Sequence, residues 1–186
     1  MAGSWYPRFV ADEAHLANFL AGLKLITCPH CGCAETLNAH GPLRGYMERS
    51  SELVLRGWRV YCANRGRRAG CGRTFSALFS EVLWGFVMRA ETLLRFVLEV
   101  LGGASRASAW RRGSSGFSLR SGYRLWKRLS AEQPRLRSLL CRHTPPVPST
   151  SSEPLQALRL HLEAALPQAE SLFASFQLHF QQPLLG

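Results

Sequence analysis

Two cysteine pairs in the first half of this 186-residue chain constrain its folding more than any other feature. The first, Cys28-Pro29-His30-Cys31-Gly32, is a Cys-x2-Cys-Gly knuckle. Its tight turn lets both thiolates point at one ion, and the glycine takes the conformation that the turn demands. The second pair, Cys62 and Cys71 followed by Gly72, is separated by eight residues instead of two, with 63–70 looped out between the thiols. Cys28, Cys31, Cys62 and Cys71 are therefore expected to hold one structural Zn²⁺ in a closed tetrahedral site, which folds the segment and does no chemistry. Other readings stay open at this stage. Cys33 or His30 can replace one of the four ligands, a thioredoxin-like redox pair is conceivable, and the cysteines can be structural without a metal. Pro29 and the helix-breaking Gly32 fit a knuckle better than a redox motif. Cys141 reads as a small buried apolar residue or a bystander.

The residues around the cysteines alternate β-branched and aromatic side chains with polar ones over 53–61 and again over 73–79, bounded by Gly57, Gly70 and Gly72. This predicts short strands. Ahead of them, Phe9, Val10, Leu16, Phe19, Leu20 and Leu23 recur at helical spacing with Asp12 and Glu13 in the first turn, which predicts an amphipathic helix at about 11–22. From Glu91 the period is again helical, with Leu93, Leu94, Phe96, Val97, Val100 and Leu101 forming a stripe that Gly102-Gly103 ends. A second short helix is expected over 104–112, a break at 113–116, and a third helix capped by Ser118 from Leu119 to about Ser130. Pro134 reads as the opening of a further short helix toward Cys141. The Pro/Ser/Thr-rich run from Thr144 to Pro154 reads as a linker, and Leu155, Leu158, Leu162, Leu166, Leu172, Phe173, Phe176, Leu178 and Phe180 give the tail after it too many apolar groups to stay solvated. The expected class is α+β: an N-terminal helix (1–24), a small zinc ribbon of short antiparallel strands (25–80), a helix-turn-helix bundle (81–143), a linker (144–154) and an apolar helical tail (155–186). The tail is expected either to pack back on the body or to dock on a transposase or recombinase partner or a second copy of the chain.

Charge narrows the function classes. The formal charge is +11, and all but Lys24 and Lys127 of the 23 basic residues are arginine. Residues 61–143 carry a net +12, against +1 for 1–60 and −2 for 144–186, so a polyanionic partner is expected in the middle of the chain. Asp12 is the only aspartate, which leaves any mechanism based on several metal-binding aspartates short of residues and argues for a non-enzyme. The longest apolar run, near Val82 to Met88, is too short to span a bilayer, and the N-terminus lacks the layout of a secretory signal. A cytoplasmic, nucleoid-associated protein without a membrane partner is expected.

Arg65, Arg67 and Arg68 sit in the loop between two proposed ligands, where a pinned loop offers guanidinium groups to phosphates, and Arg73 follows the second knuckle. Along the third helix Arg120, Tyr123, Arg124, Lys127 and Arg128 recur every three or four residues, with Leu125 and Leu129 on another side. Such a helix can lie in a major groove, while Arg106, Arg111 and Arg112 on the preceding helix fix register on phosphates. A solvated charged loop or helix face is the plainer alternative. Trp58, Tyr61, Phe75, Trp84, Trp110 and Trp126 interleave with the arginines, which also suits stacking on single-stranded bases, although core packing explains most of them.

The order Cys28-Pro29-His30-Cys31-Gly32, strands, Trp58-Arg59-Val60-Tyr61-Cys62, an Asn-Arg-Gly-Arg-Arg loop, Cys71-Gly72-Arg73-Thr74-Phe75-Ser76 and a helical bundle resembles the zinc ribbon plus helix-turn-helix at the N-termini of insertion-sequence transposases, over about residues 25–130. The resemblance implies binding of double-stranded transposon-end DNA by ribbon and helices. The catalytic domain of that family has no counterpart in this sequence. The expectation is a zinc-dependent duplex-DNA-binding accessory or regulatory factor of a mobile element. Its rivals are a truncated or split transposase whose acids come from a partner, a general transcription regulator and an RNA-binding zinc ribbon.

Overall fold

Four strands and six helices follow one another in the computed structural model, which describes residues 7–48, 51–66, 69–114, 116–148 and 151–186. The class is α+β. β1 (Arg8–Val10) leads into α1 (Glu13–Ala21), and a single 3-10 turn follows at Leu23–Leu25. β2 (Leu37–Gly45), β3 (Val54–Cys62) and β4 (Thr74–Phe79) complete a sheet in the order β1-β4-β3-β2. Both expected strands are present, as β3 and β4. The β2–β3 and β3–β4 pairs are antiparallel, but β1 runs parallel to β4 with Phe9 opposite Leu78, so the sheet is mixed.

That pairing corrects the reading of the N-terminus. Phe9 and Val10 belong to a strand, and Asp12 stands outside α1 as its N-cap, with Oδ1 accepting from the His15 N–H at 2.7 Å. The strand depends on a distant partner. The Gln181 side chain accepts from the Phe9 N–H at 2.9 Å and donates to the Phe9 carbonyl at 3.0 Å, satisfying the outward-facing peptide groups of β1.

The helices are α2 (Ala90–Leu101), α3 (Arg106–Gly113), α4 (Leu119–Leu140), α5 (Pro154–Ala165) and α6 (Leu172–Phe180). Ser105 and Ser118 cap α3 and α4 through hydrogen bonds to the N–H groups of Ser108 and Ser121. α4 corrects a second expectation, because it runs unbroken past Pro134 instead of stopping near Ser130 and restarting. A proline inside a helix costs about 3 kcal/mol and removes one hydrogen bond. The buried stripe Leu125, Leu129, Gln133, Leu136 and Leu140 passes straight across that point, with α5 packed on α4. Continuous packing outweighs the local break. At the other end of the helix, Gly122 lies against the Trp110 ring so closely that an added Cβ would fall 2.6 Å from it, which seats α4 on α3.

The tail packs back on the body. Leu155, Leu158, Leu162, Phe173, Phe176, Leu184 and Leu185 are buried in one core with Leu93, Phe96, Trp110, Leu125, Leu129 and Leu136 from α2, α3 and α4. The Pro-rich run is irregular where described, and Pro154 forms the first turn of α5 with Glu153 as its cap. Two smaller cores lie under the sheet: Val10, Leu16, Met47, Ala77, Phe79 and Val82 around α1, and Leu23, Leu37, Val60 and Phe75 with Cys28 and Cys62 beneath the cysteine site. Gln177 joins sheet and helices. Its buried amide donates to the carbonyls of Ser80 (2.7 Å) and Val82 (3.0 Å), and its oxygen accepts from the Leu184 N–H (3.1 Å).

Truncating Gln177 leaves those three buried backbone groups unpaired, and each orphaned group costs roughly 1–3 kcal/mol. Gln177→Leu should therefore lower the free energy of unfolding by at least about 2 kcal/mol in urea titration, although it adds apolar bulk. A change below 0.5 kcal/mol, the usual scatter of a neutral surface substitution, would show that the amide does not join the two parts.

Candidate metal centre and cationic surfaces

Three chain segments meet at the cysteines: the turn at 28–33, the end of β3 at Cys62 and the approach to β4 at Cys71. The Sγ atoms of Cys28, Cys31, Cys62 and Cys71 all lie within 4.8 Å of one another, with Cys28–Cys71 and Cys31–Cys62 both at 3.8 Å. Metal–thiolate bonds of about 2.3 Å in a tetrahedron place neighbouring sulfurs about 3.8 Å apart. The four thiols are thus set to hold one metal ion. Cys28 and Cys62 are buried, Cys71 is half-buried and Cys31 is exposed.

The long second spacing has a simple structural cause. In the first knuckle the Gly32 N–H donates to the Cys28 carbonyl at 2.8 Å, and the His30 N–H donates to Cys28 Sγ at 3.4 Å. In the second, the Gly72 N–H donates to the Cys62 carbonyl at 3.0 Å, and the Cys71 N–H donates to Cys62 Sγ at 3.3 Å. Gly32 and Gly72 share φ +73°, the left-handed conformation that closes both turns. Between Cys62 and Cys71 the chain leaves at Ala63 and returns at Gly70, whose N–H donates to the Ala63 carbonyl at 3.1 Å. Cys62-Ala63-Gly70-Cys71-Gly72 is therefore a second Cys-x2-Cys-Gly turn, closed by the Ala63–Gly70 contact across an insertion in the sequence. Gly70 admits no side chain, since a Cβ there would lie 2.1 Å from the Ala63 oxygen and 2.7 Å from Cys62 Sγ.

The two alternative ligands point elsewhere. Cys33 Sγ donates to the Ala69 carbonyl at 3.1 Å, and His30 Nε2 lies 3.2 Å from the Thr74 carbonyl with its ring edge-on to Phe75. Three of the four thiols, Cys28, Cys31 and Cys71, do not ionise alike. Burial pushes Cys28 up to about 12 and raises Cys71, whereas the Cys33 backbone N–H lowers Cys31 to about 6. An ion that takes all four as thiolates must displace protons held with very different strength. Thr36 Oγ1 lies 3.2 Å from Cys62 Sγ and gives that buried sulfur a hydroxyl neighbour.

The cationic residues fall into engaged and unengaged groups. Arg112 pairs with Glu99 at 2.7 Å and donates to Ser108 Oγ, and Arg106 stacks over Trp126 at 4.8 Å. Arg128 donates to the Gly186 carbonyl at 2.6 Å and lies over Phe86 at 5.2 Å. By contrast, Arg120, Tyr123, Arg124 and Lys127 share one exposed face of α4, opposite the buried Leu125, Trp126 and Leu129. The five ion pairs among the described residues use Arg89, Arg95, Arg112, Arg135 and Arg159, and none draws on that face. Arg65 and Arg111 are exposed, Arg73 is exposed but engaged in an interaction of its own, and Arg67 and Arg68 lie outside the described residues. Sequence reasoning passed over Arg44 and Arg59, which are exposed on β2 and β3 beside His40 and Tyr61. Strand alternation was the signal, because Arg59 lies opposite Ser76 and between the inward-facing Val60 and the half-buried Trp58.

Three substitutions and one deletion separate the ligands from their neighbours. Cys31→Ser should reduce the bound metal from about one ion per chain to near zero after dialysis, whereas Cys33→Ser and His30→Ala should keep it, as a four-sulfur site requires. Deleting residues 64–69, which joins Ala63 to Gly70, should leave the metal content unchanged by elemental analysis. Loss of metal in that deletion would mean that the inserted segment is part of the site.

Among the described residues, no helix is long and apolar enough to cross a membrane. No family model, curated protein or solved structure matches the chain.

Proposed function

We propose that the chain is a duplex-DNA-binding protein in which a structural Zn²⁺ folds a ribbon and α4 reads the double helix. Zinc is the metal that best suits four thiolates in a closed tetrahedron, and such a site leaves no position for a reacting water. The observation that carries the DNA reading is the α4 face of Arg120, Tyr123, Arg124 and Lys127, a concentration of positive charge without an acidic neighbour paired to it. Cations without internal partners are available to phosphates and guanine edges. α3, close before α4 in the chain and seated against it through Trp110 and Gly122, supports a helix-turn-helix arrangement with α4 as the reading helix. Arg111 then contacts the backbone, Arg106 and Arg112 join it on leaving Trp126 and Glu99, and Arg65 and Arg73 add phosphate contacts from the ribbon. Arg128 serves mainly to hold the C-terminal segment against α4. The role we propose is that of a non-catalytic accessory or regulatory factor, and the resemblance of the cysteine-containing sequence to transposase N-terminal regions supports a mobile-element setting.

A second reading has its own observation. The exposed His40, Arg44 and Arg59 and the half-buried Tyr61 on the sheet combine cations with stackable rings, the layout of a single-strand or RNA surface.

Binding of a selected duplex should weaken steeply with salt, since each phosphate contact contributes about one unit to the log–log slope. Arg120→Ala and Arg124→Ala should each cost roughly 1–3 kcal/mol on the preferred duplex and little on a scrambled one, whereas Arg65→Ala should lower both together. If Arg59→Ala abolishes binding while the α4 variants leave it intact, the sheet is the nucleic-acid surface.

A further inference from the structure

A groove of about 430 Å³ opens between the segment 85–88 and the first half of α4. Its size falls in the range of small-molecule sites, about 300–1,000 Å³. Phe86, Met88, Phe117 and Leu125 make it largely apolar, and its charged lining residues are Arg124 and Arg128, one helical turn apart. No acid lines it. The segment that forms its outer wall is tied down from behind: the Arg56 guanidinium donates to the Phe86 carbonyl, the Glu48 N–H donates to the Val87 carbonyl at 2.8 Å, and the Arg89 N–H donates to Glu48 Oε1 at 2.8 Å. The opening is thus held by hydrogen bonds on the far side of the wall. Trp84 and Val87, 39% and 41% exposed, extend the apolar surface at its edge.

The geometry points to a binding site for a small organic monoanion with an apolar body, an aliphatic or aromatic carboxylate whose head sits against Arg124 and whose body fills the space between Phe86 and Phe117. Charge complementarity selects the anion, because a neutral apolar ligand leaves a guanidinium at the wall without a counterion, while a carboxylate accepts two hydrogen bonds from it. Arg124 is the available partner, since Arg128 is already engaged by Gly186 and Phe86. A polyanion is disfavoured by the apolar lining. Arg124 also belongs to the α4 face assigned above to DNA, so an occupied groove withdraws that arginine from the duplex. This regulatory consequence rests on the DNA reading, whereas the binding itself does not.

The test uses the full chain with 4-phenylbutyrate and decanoate as probes and the matching alcohols as controls, followed by calorimetry and by amide chemical shifts. The acids should bind more tightly than the alcohols by about tenfold, the scale of one charge-assisted hydrogen bond, with shifts confined to 85–88 and 117–128. Arg124→Gln should remove that preference, and Val87→Glu, at the exposed edge, should weaken the acids through like charge. Either substitution lies at the surface, and an unchanged melting temperature verifies folding. If neither acid binds better than its alcohol, or if both variants leave binding unchanged, the inference is overturned. Acid binding with the expected variant pattern but no loss of duplex affinity upholds the groove and removes Arg124 from the DNA surface.

Discussion

The close approach of four sulfurs is the constraint on which the N-terminal half depends. Cys28, Cys31, Cys62 and Cys71 bring the first turn, the end of β3 and the start of β4 to one point, and only a small apolar cluster lies beneath them. Four thiols at such distances gain little from each other. As thiolates they repel, and as thiols they form weak hydrogen bonds, so a metal ion held by all four would supply the cohesion that the sulfurs themselves lack. Structural zinc sites in small domains supply about 10–16 kcal/mol, of the same order as the apolar side chains buried under the sheet. A metal held there would tie the two cysteine turns and the ends of β3 and β4 into one unit.

The helical half rests on different physics. A single apolar core takes side chains from α2, α3 and α4 and from α5 and α6 beyond the irregular run, so the tail contributes to the same unit as the bundle. Gln177 places a polar amide inside this packing and uses both ends of it on backbone groups. The cost of burying an amide is offset only because each of its hydrogen-bonding groups has a partner. The sheet and the helices are thereby registered against each other.

How much of this was legible in the residues depends on the distance over which each feature is determined. The four clustered cysteines, β3, β4, α2 and the cap Ser118 follow from spacings within a few residues. β2 was not foreseen, because Gly41, Pro42 and Gly45 read as breakers and only its pairing with β3, with register shifts near Gly41 and Arg44, makes it a strand. β1 was absorbed into a helical stripe, since its partners Leu78 and Gln181 lie far along the chain. Pro134 was read as a helix start because local rules weigh the missing N–H and cannot see the stripe from Leu125 to Leu140 packed under α5. The second knuckle looked irregular for a related reason: the contact between Ala63 and Gly70 that restores its spacing is invisible in one dimension.

The pairing of Gln181 with Phe9 has a consequence for solubility. A sheet has two borders, and unpaired peptide groups along either one are a template for strand addition by other molecules. On the β1 side the side-chain amide occupies the donor and acceptor of Phe9 as a neighbouring strand would, so a short, otherwise adhesive border is closed without a fifth strand. On the β2 side, Pro42 removes a donor and two register shifts bend the ribbon, which spoils the flat surface that intermolecular stacking requires. The molecule guards its two borders by unrelated means, one conformational and one chemical, and the chemical guard works only while the last helix stays docked.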